Sequence, residues 1–257
     1  VRIATWNVNS IKVRLGAVSD WLADTAPDVL LLQELKCETA AFPAAAFEAL
    51  GYGAVVAGQK AYNGVALLSR QPAQDVVTGL PGDATDEQAR YVEATVAGVR
   101  IASLYLPNGN PLGTEKFDYK LRWMARLHRH ATRLLTTGMP VVLGGDYNVI
   151  PEAEDVFDPR AFAGDALYQP ESRAAFRALL HLGYTDAFRA LHRGEPRAYT
   201  FWDYQAGCWP RDMGLRIDHL LLSPQAADRL EACTIDRRPR ALDKASDHTP
   251  VVLDLIG

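Results

Sequence analysis

Polar residues gather in this sequence where short apolar runs stop. Leu30-Leu31-Leu32 runs into Gln33-Glu34, and Val141-Val142-Leu143 into Gly144-Gly145-Asp146-Tyr147-Asn148. Arg216-Ile217 carries Asp218-His219 into Leu220-Leu221-Leu222. Trp6-Asn7-Val8-Asn9 follows the first apolar run, and Ser246-Asp247-His248 directly precedes Thr249-Pro250 and the last one. Strand ends are where a rigid scaffold presents binding and catalytic groups, so these segments are candidates to converge on one edge.

Taken singly, each has a plain structural explanation. Glu34 alone is a strand-end carboxylate facing water, Asp146 and Asn148 after two glycines fit an Asx-type turn, and Asp247-His248 before Pro250 fits a turn cap. Asp218 beside an apolar strand is harder to dismiss, because a buried carboxylate needs a partner or shifts its pKa. As a set the residues have a chemical reason. Mg²⁺ takes oxygen ligands and keeps several waters, so a few carboxylates and amides suffice; Asn7, Glu34, Asp146, Asn148 and Asp247 are the right types. Phosphoester hydrolysis also needs a water deprotonated and aimed, and charge neutralised at phosphorus. His248 backed by Asp218 suits the charge role, and Asp146 suits the water's proton.

The elements that must position these residues are short. Val29–Leu32, Val65–Leu68, Val141–Leu143, Ile217–Leu222 and Val251–Leu253 read as buried strands. Leu15, Val18 and Leu22, and likewise Phe176, Leu179 and Leu180, recur at helical spacing and can cover sheet faces. From Tyr91 to Tyr105 alternating residues flank Ala97-Gly98, which reads as a hairpin. Mixed strands with interspersed helices predict an α/β sandwich with packed sheets inside and helices outside, rather than a doubly wound parallel fold. No linker or repeat divides residues 1–257, so one domain is expected.

Bulk properties set bounds. The balance of 27 Lys+Arg against 31 Asp+Glu gives a net charge of −4, so no global positive field announces a polyanionic partner. Acids clustered around a cation would reverse the local sign where a phosphate sits. Cys37, Cys208 and Cys233 are scattered and form no C-x-x-C pair, which argues against a disulfide framework or a zinc site and for a reducing cytoplasm. No apolar run has membrane-spanning length, and the first residues lack a secretory layout.

The ordered motifs Trp6-Asn7-Val8-Asn9, Leu32-Gln33-Glu34-Leu35-Lys36, Tyr105-Leu106-Pro107-Asn108-Gly109, Gly145-Asp146-Tyr147-Asn148, Arg216-Ile217-Asp218-His219 and Ser246-Asp247-His248 resemble the exonuclease III family of bacterial apurinic/apyrimidinic endonucleases, with Tyr199–Tyr204 as a further similar block. The resemblance spans essentially the whole chain. It implies a four-layer, deoxyribonuclease I-like sandwich of two mixed sheets flanked by helices, working on DNA with Mg²⁺, or Mn²⁺ in its place. It further implies Glu34 and Asp247 at the metal, with Asn7 and Asn9 beside them. Asp146 would activate water or protonate the leaving group with Asn148 as its partner, Tyr105 and Asn108 would lie near the phosphate, and Asp218 with His248 would bind it. Lys36, Trp202 and Arg216 complete the expected substrate contacts. The expected reaction is incision 5′ of abasic sites and trimming of 3′ ends in double-stranded DNA, by a monomer without membrane attachment.

Two features depart from that pattern. Ser10 stands where many relatives carry Gly, and Gly207–Met213 matches no family motif. Outside the motifs, Arg122, Arg126, Arg129 and Arg133 would line one helix face, read as a solvated surface rather than a phosphate track, while Arg237, Arg238, Arg240 and Lys244 lead into the Ser246 motif and are stronger phosphate candidates. Among the aromatics before Asp218, Trp202 is expected at the site, with Phe201 and Tyr204 left to packing. A lipid or nucleotide phosphoesterase and a catalytically silent nucleic-acid-binding module are the competing readings.

Overall fold

Runs such as Val29–Leu32 are apolar throughout because both faces of the strand are covered, and period two then decides which core each side chain joins. A computed structural model describes residues 1–257. In chain order its strands are β1 (Arg2–Asn7), β2 (Val29–Gln33), β3 (Gly53–Ala57), β4 (Val65–Ser69), β5 (Gln74–Thr78) and β6 (Tyr91–Val96). There follow β7 (Val99–Tyr105), β8 (Val141–Asp146), β9 (Thr185–Asp186), β10 (Asp218–Leu222), β11 (Leu230–Ile235) and β12 (Val251–Leu255). They form two six-stranded sheets, ordered β11-β12-β1-β2-β4-β3 and β5-β6-β7-β8-β10-β9. Each is mixed: β1 with β2 and β7 with β8 are parallel pairs, and the remaining pairings are antiparallel.

Alternation sorts the side chains into layers. Leu31, Val65, Leu67, Val142 and Leu220 point into a core between the sheets. Leu30, Leu32, Ala66 and Leu68 face outward beneath the helix Ile11–Thr25, which presents Ile11, Val18, Trp21 and Leu22. On the other side Val141, Leu143 and Leu221 meet Trp123, Leu127 and Phe176 from the helices Glu115–Leu135 and Pro170–His181. The result is helix, sheet, sheet, helix, as expected. The hairpin is also present, with Val96 opposite Val99 and Ala97 and Gly98 at φ 51° and 76°, as a two-residue turn requires.

Two glycines bring the layers together beneath the site. A Cβ on Gly144 would lie 2.6 Å from Leu220 Cδ2 and 2.7 Å from Leu31 Cδ1, and one on Gly145 only 1.9 Å from the Leu104 carbonyl oxygen. The strand therefore continues through both glycines to Asp146 rather than turning at Leu143. Between the sheets, Gln33 Nε2 donates to Thr5 Oγ1 and Ser103 Oγ at 3.1 Å each, and Ser103 Oγ donates to Leu32 O at 3.1 Å. This buried polar network ties β1, β2 and β7 just below their active ends.

Candidate active site

Register brings the motifs to one edge. Asn7 is opposite Gln33, Tyr105 opposite Asp146, and Asp146 opposite Asp218, so β1, β2, β7, β8 and β10 present their polar ends together. Ser246 Oγ donates to Asn7 O at 2.7 Å, which anchors the Asp247-His248 turn to the end of β1.

At the centre, Asn7 Nδ2 donates to Glu34 Oε1 and to Asp146 Oδ2, at 2.9 Å each. Tyr105 donates its hydroxyl to Glu34 Oε1 at 3.0 Å. His248 Nδ1 is 2.8 Å from Asp218 Oδ2, and its Nε2 lies 3.7 Å from Asp146 Oδ2. The backbone N–H of Asn148 donates to Asp146 Oδ1 at 2.9 Å, so the Asx turn read from the sequence exists and orients the carboxylate. The Asn148 amide donates to Leu106 O at 2.9 Å and accepts from Asn108 Nδ2 at 3.2 Å. On the other flank, Asn9 Nδ2 donates to Asp247 Oδ1 at 3.1 Å, and Lys36 reaches Asn9 Oδ1 and, at 3.1 Å, Glu34 Oε2.

The electrostatics follow from burial and neighbours. Burial drives the Asp146 carboxyl well above its ordinary range, against the pull of His248 and with the push of Asp218. For His248, burial favours the neutral ring, but the Asp218 and Asp146 carboxylates outweigh it and raise the imidazolium to about 10. Burial acts on Glu34 too, yet the Asn7 amide and the Lys36 ammonium leave its carboxyl below the usual range. Tyr105 is pushed far up by burial and by the Glu34 and Asp146 charges, so it serves as a phenol donor. Burial brings Lys120, which lies under the Asn108 and Asn148 loops, down to about 7.

The donor set fits a divalent cation. Ligand atoms of Glu34, Asp146 and His248 lie within 4.8 Å of one another. An imidazolium cannot coordinate, so Glu34 and Asp146 are the members of that cluster suited to hold an ion. The buried Oδ1 of Asp218 has no hydrogen-bond partner, a further sign of negative charge not fully compensated by the protein. Asn7 faces both carboxylates with its amide nitrogen and gives its oxygen to the Asn9 N–H at 3.0 Å. Asn148 likewise spends its oxygen on Asn108. In this geometry both asparagines, expected as oxygen ligands, organise the carboxylates and the loops.

With this arrangement established, kinship can be weighed. Residues 4–248 match the Endonuclease/Exonuclease/phosphatase family. The chain belongs to that family. Among family relatives, exodeoxyribonuclease III of Haemophilus influenzae is 30% identical, over 98% of this chain and 98% of that protein. The structure of an AP endonuclease from Archaeoglobus fulgidus superposes with a TM-score of 0.96 at 38% identity, covering 100% of each chain. A 3′ phosphatase from Neisseria bound to product DNA hairpin gives 0.97 at 42% identity, covering 100% of this chain and 99% of that one. The chain is thus a family nuclease, and its two sheets with flanking helices are the fold those enzymes share.

Two expected substrate contacts lie elsewhere. Arg216 is 1% exposed, and its guanidinium is consumed by Asp155, at 2.7 Å and 3.2 Å, and by Asp186 at 2.8 Å. Trp202 is 0% exposed and donates its indole N–H to Asp212 Oδ1 at 3.0 Å. It belongs to the core of the Gly207–Met213 loop, where Arg237 lies 4.7 Å above its ring and Trp209 packs at 4.8 Å. The aromatic at the site is Phe201, half-buried with its ring 5.0 Å from that of His248. Tyr204 is 52% exposed and bonded to Asn9 at 3.3 Å.

The basic segment is also largely structural. Arg237 and Arg238 pair with Asp212 and Asp236, and buried Arg240 donates to Trp202 O at 3.1 Å; Lys244 remains exposed. On the helix face, Arg122 pairs with Glu115 and Arg126 is buried against Asp86. Sequence reasoning missed Arg90, which lies 4.8 Å over the Tyr105 ring and donates to Tyr105 O at 3.2 Å. It borders a polar groove of about 560 Å³ that runs past Asn108, Tyr62 and Lys116. An arginine before a strand carries no mark distinguishing it from a solvated charge. A second cleft of about 500 Å³, floored by Arg216, includes none of the site carboxylates in its lining.

Proposed function

We propose that this chain is a Mg²⁺-dependent DNA repair nuclease that cleaves the phosphodiester 5′ of abasic sites and removes 3′ blocking groups or nucleotides. The observation that carries the reading is the meeting of acids and an imidazole in one pocket: Asn7 joins Glu34 to Asp146, while His248 stands 2.8 Å from Asp218 and 3.7 Å from Asp146. The names of the relatives, an exodeoxyribonuclease III, an AP endonuclease and a 3′ phosphatase on DNA, support DNA as the substrate.

The roles follow from the groups. His248 as imidazolium and Tyr105 as phenol donate to the non-bridging phosphate oxygens, where charge builds as water adds. Asp146 takes the proton of the attacking water; its raised pKa suits a base working near neutrality. The new P–O bond forms as the bond to the departing 3′ oxygen breaks, and that oxygen leaves as a hydroxyl after taking a proton from solvent. Glu34 and Asp146 would hold Mg²⁺, with Asp247 beside them on Asn9. When bound, the ion supplies charge neutralisation and a stabiliser for the leaving oxygen. Mn²⁺ would serve in its place. Asn108, Lys36 and Asn9 flank the pocket as contacts for the strand.

The chain has no helix long and apolar enough to cross a membrane. Its three cysteines are free and buried, which supports a reducing cytoplasm, and we take the working unit to be a monomer. The test is product analysis on a duplex carrying a tetrahydrofuran abasic analogue, with Mg²⁺ and with EDTA. Incision on the 5′ side with Mg²⁺ alone is expected. Cleavage confined to 3′ ends would remove the abasic reading. Asp146→Asn should lower kcat by about 10³-fold or more while the duplex is still bound, as gel shift would show.

A further inference from the structure

A lysine is buried behind the catalytic edge without a carboxylate partner. Lys120, in the helix Glu115–Leu135, is 0% exposed, and the hydrogen bonds of its ammonium go to two backbone carbonyls, Asn108 O at 3.0 Å and Asn148 O at 2.6 Å. Those carbonyls belong to the loops that leave β7 and β8. The side chains of the same two residues meet at 3.2 Å, and Asn148 is bound onward to Asp146 Oδ1 at 2.9 Å. Asn148 holds a positive φ of 46°, a left-handed state that asparagine tolerates better than other non-glycine residues. The path of the lysine is itself prepared, since a Cβ on Gly109, at φ 89°, would come within 2.7 Å of Lys120 Cδ.

Packing alone does not call for this arrangement, because a methionine would fill the same space without burying a charge. We propose that Lys120 is a positioning residue for the hydrolytic reaction: its ammonium clamps the Asn108 and Asn148 loops together, so that Asn148 and, through it, Asp146 stand in working register. This rests on the phosphodiesterase reading above. The clamp acts through the Asn148 backbone, whose carbonyl takes the ammonium and whose N–H holds Asp146, so its effect must vanish when the Asp146 carboxylate is gone.

The experiment is a double-mutant cycle of K120M and D146A in steady-state DNA cleavage, with long incubations for the slow D146A pair and thermal melts of each protein. K120M is expected to lower kcat by about tenfold or more with KM changed less than about twofold, since the loss is one of alignment. In the D146A background K120M should cost less than about twofold further. A K120M enzyme that melts lower but keeps kcat within about twofold of the parent would overturn the proposal, as would losses that multiply in the double variant. If K120M does not fold, K120Q, which retains a donor for one carbonyl, enters the same cycle. If the parent cleaves only 3′ ends, the abasic reading fails while the cycle is run unchanged on that substrate.

Discussion

Two buried clusters of acid and base lie within a few residues of each other in sequence, and they are built to opposite ends. Around Arg216 the charges are matched and closed. Arg216 binds Asp155 and Asp186, and Arg189 adds a bond to Asp155 at 2.5 Å. Burial alone would raise those two carboxyls, but Arg216 holds both below the usual range. Around His248 the carboxylates outnumber the cation: Asp146 is pushed up, and one oxygen of Asp218 is left without a partner. The two histidines report the same contrast. His219, buried and beside the Arg216 guanidinium, is lowered to about 4, whereas His248 is raised to about 10. A satisfied cluster stabilises the fold, and an unsatisfied one keeps a place for a cation and a phosphate.

The largest effect that could break this comparison is on stability. Arg216→Met would leave Asp155 and Asp186 buried with reduced compensation, and it should cost about 3–5 kcal/mol of unfolding free energy. Activity per folded molecule should change by less than about threefold. Asp218→Asn should do the reverse, lowering kcat strongly with a smaller change in stability. Urea unfolding and kcat measured on the same preparations decide it; equal effects of both variants on both readouts would erase the distinction.

A second test sharpens the contrast through pH. His248 has its pKa raised from 6.5 to about 10, so between those values the folded protein binds a proton that the unfolded chain does not. Its contribution is therefore complete below pH 6.5 and is lost as pH rises through about 10. In EDTA the unfolding free energy should decline across that range, and His248→Gln should flatten the decline. A parent with no slope between neutral and alkaline pH would show that Asp218 does not hold the imidazolium.

These two clusters also mark how far the sequence was legible. The central strands were readable because both faces are covered, which makes Leu30-Leu31-Leu32 and Val141-Val142-Leu143 unbroken apolar runs. Edge strands β3, β5 and β11 went unread, because partial exposure leaves GAVVA, QDVVT and LEACTI without a clear pattern. At the site, Asn7, Glu34, Asp146, Asp218 and His248 could be picked by residue type at strand ends, whereas Tyr105 came only with the family resemblance. Arg216 was misread because it lies two positions before Asp218, yet its guanidinium enters the closed cluster of Asp155 and Asp186. Trp202 and Phe201 were exchanged for a similar reason: adjacent residues point to opposite sides, and composition does not say which side faces His248. Lys120 was invisible because a lysine in an amphipathic helix ordinarily faces water.

The smallest effect concerns backbone strain, which gathers in the loops flanking the His248 cluster rather than in either cluster itself. None of Asp155, Asp186, Arg189 and Arg216 has positive φ, whereas Asn9, Ser10, Glu34, Lys36 and Asn148 all do. Ser10 is the informative member. It holds φ 89° and ψ 106° at the start of the helix Ile11–Thr25, where its side chain makes no capping bond and its N–H donates to Glu34 O at 2.8 Å. Glycine would take that conformation freely and keep the backbone bond. Relief of side-chain strain is partly offset by the greater freedom of glycine in the unfolded chain. Ser10→Gly should therefore stabilise the protein by about 0.5–1 kcal/mol, a rise in Tm of roughly 1–4 °C, with kcat within about twofold of the parent. A fall in Tm would mean that the Ser10 backbone is not strained and that its conformation is held at no cost by the helix start.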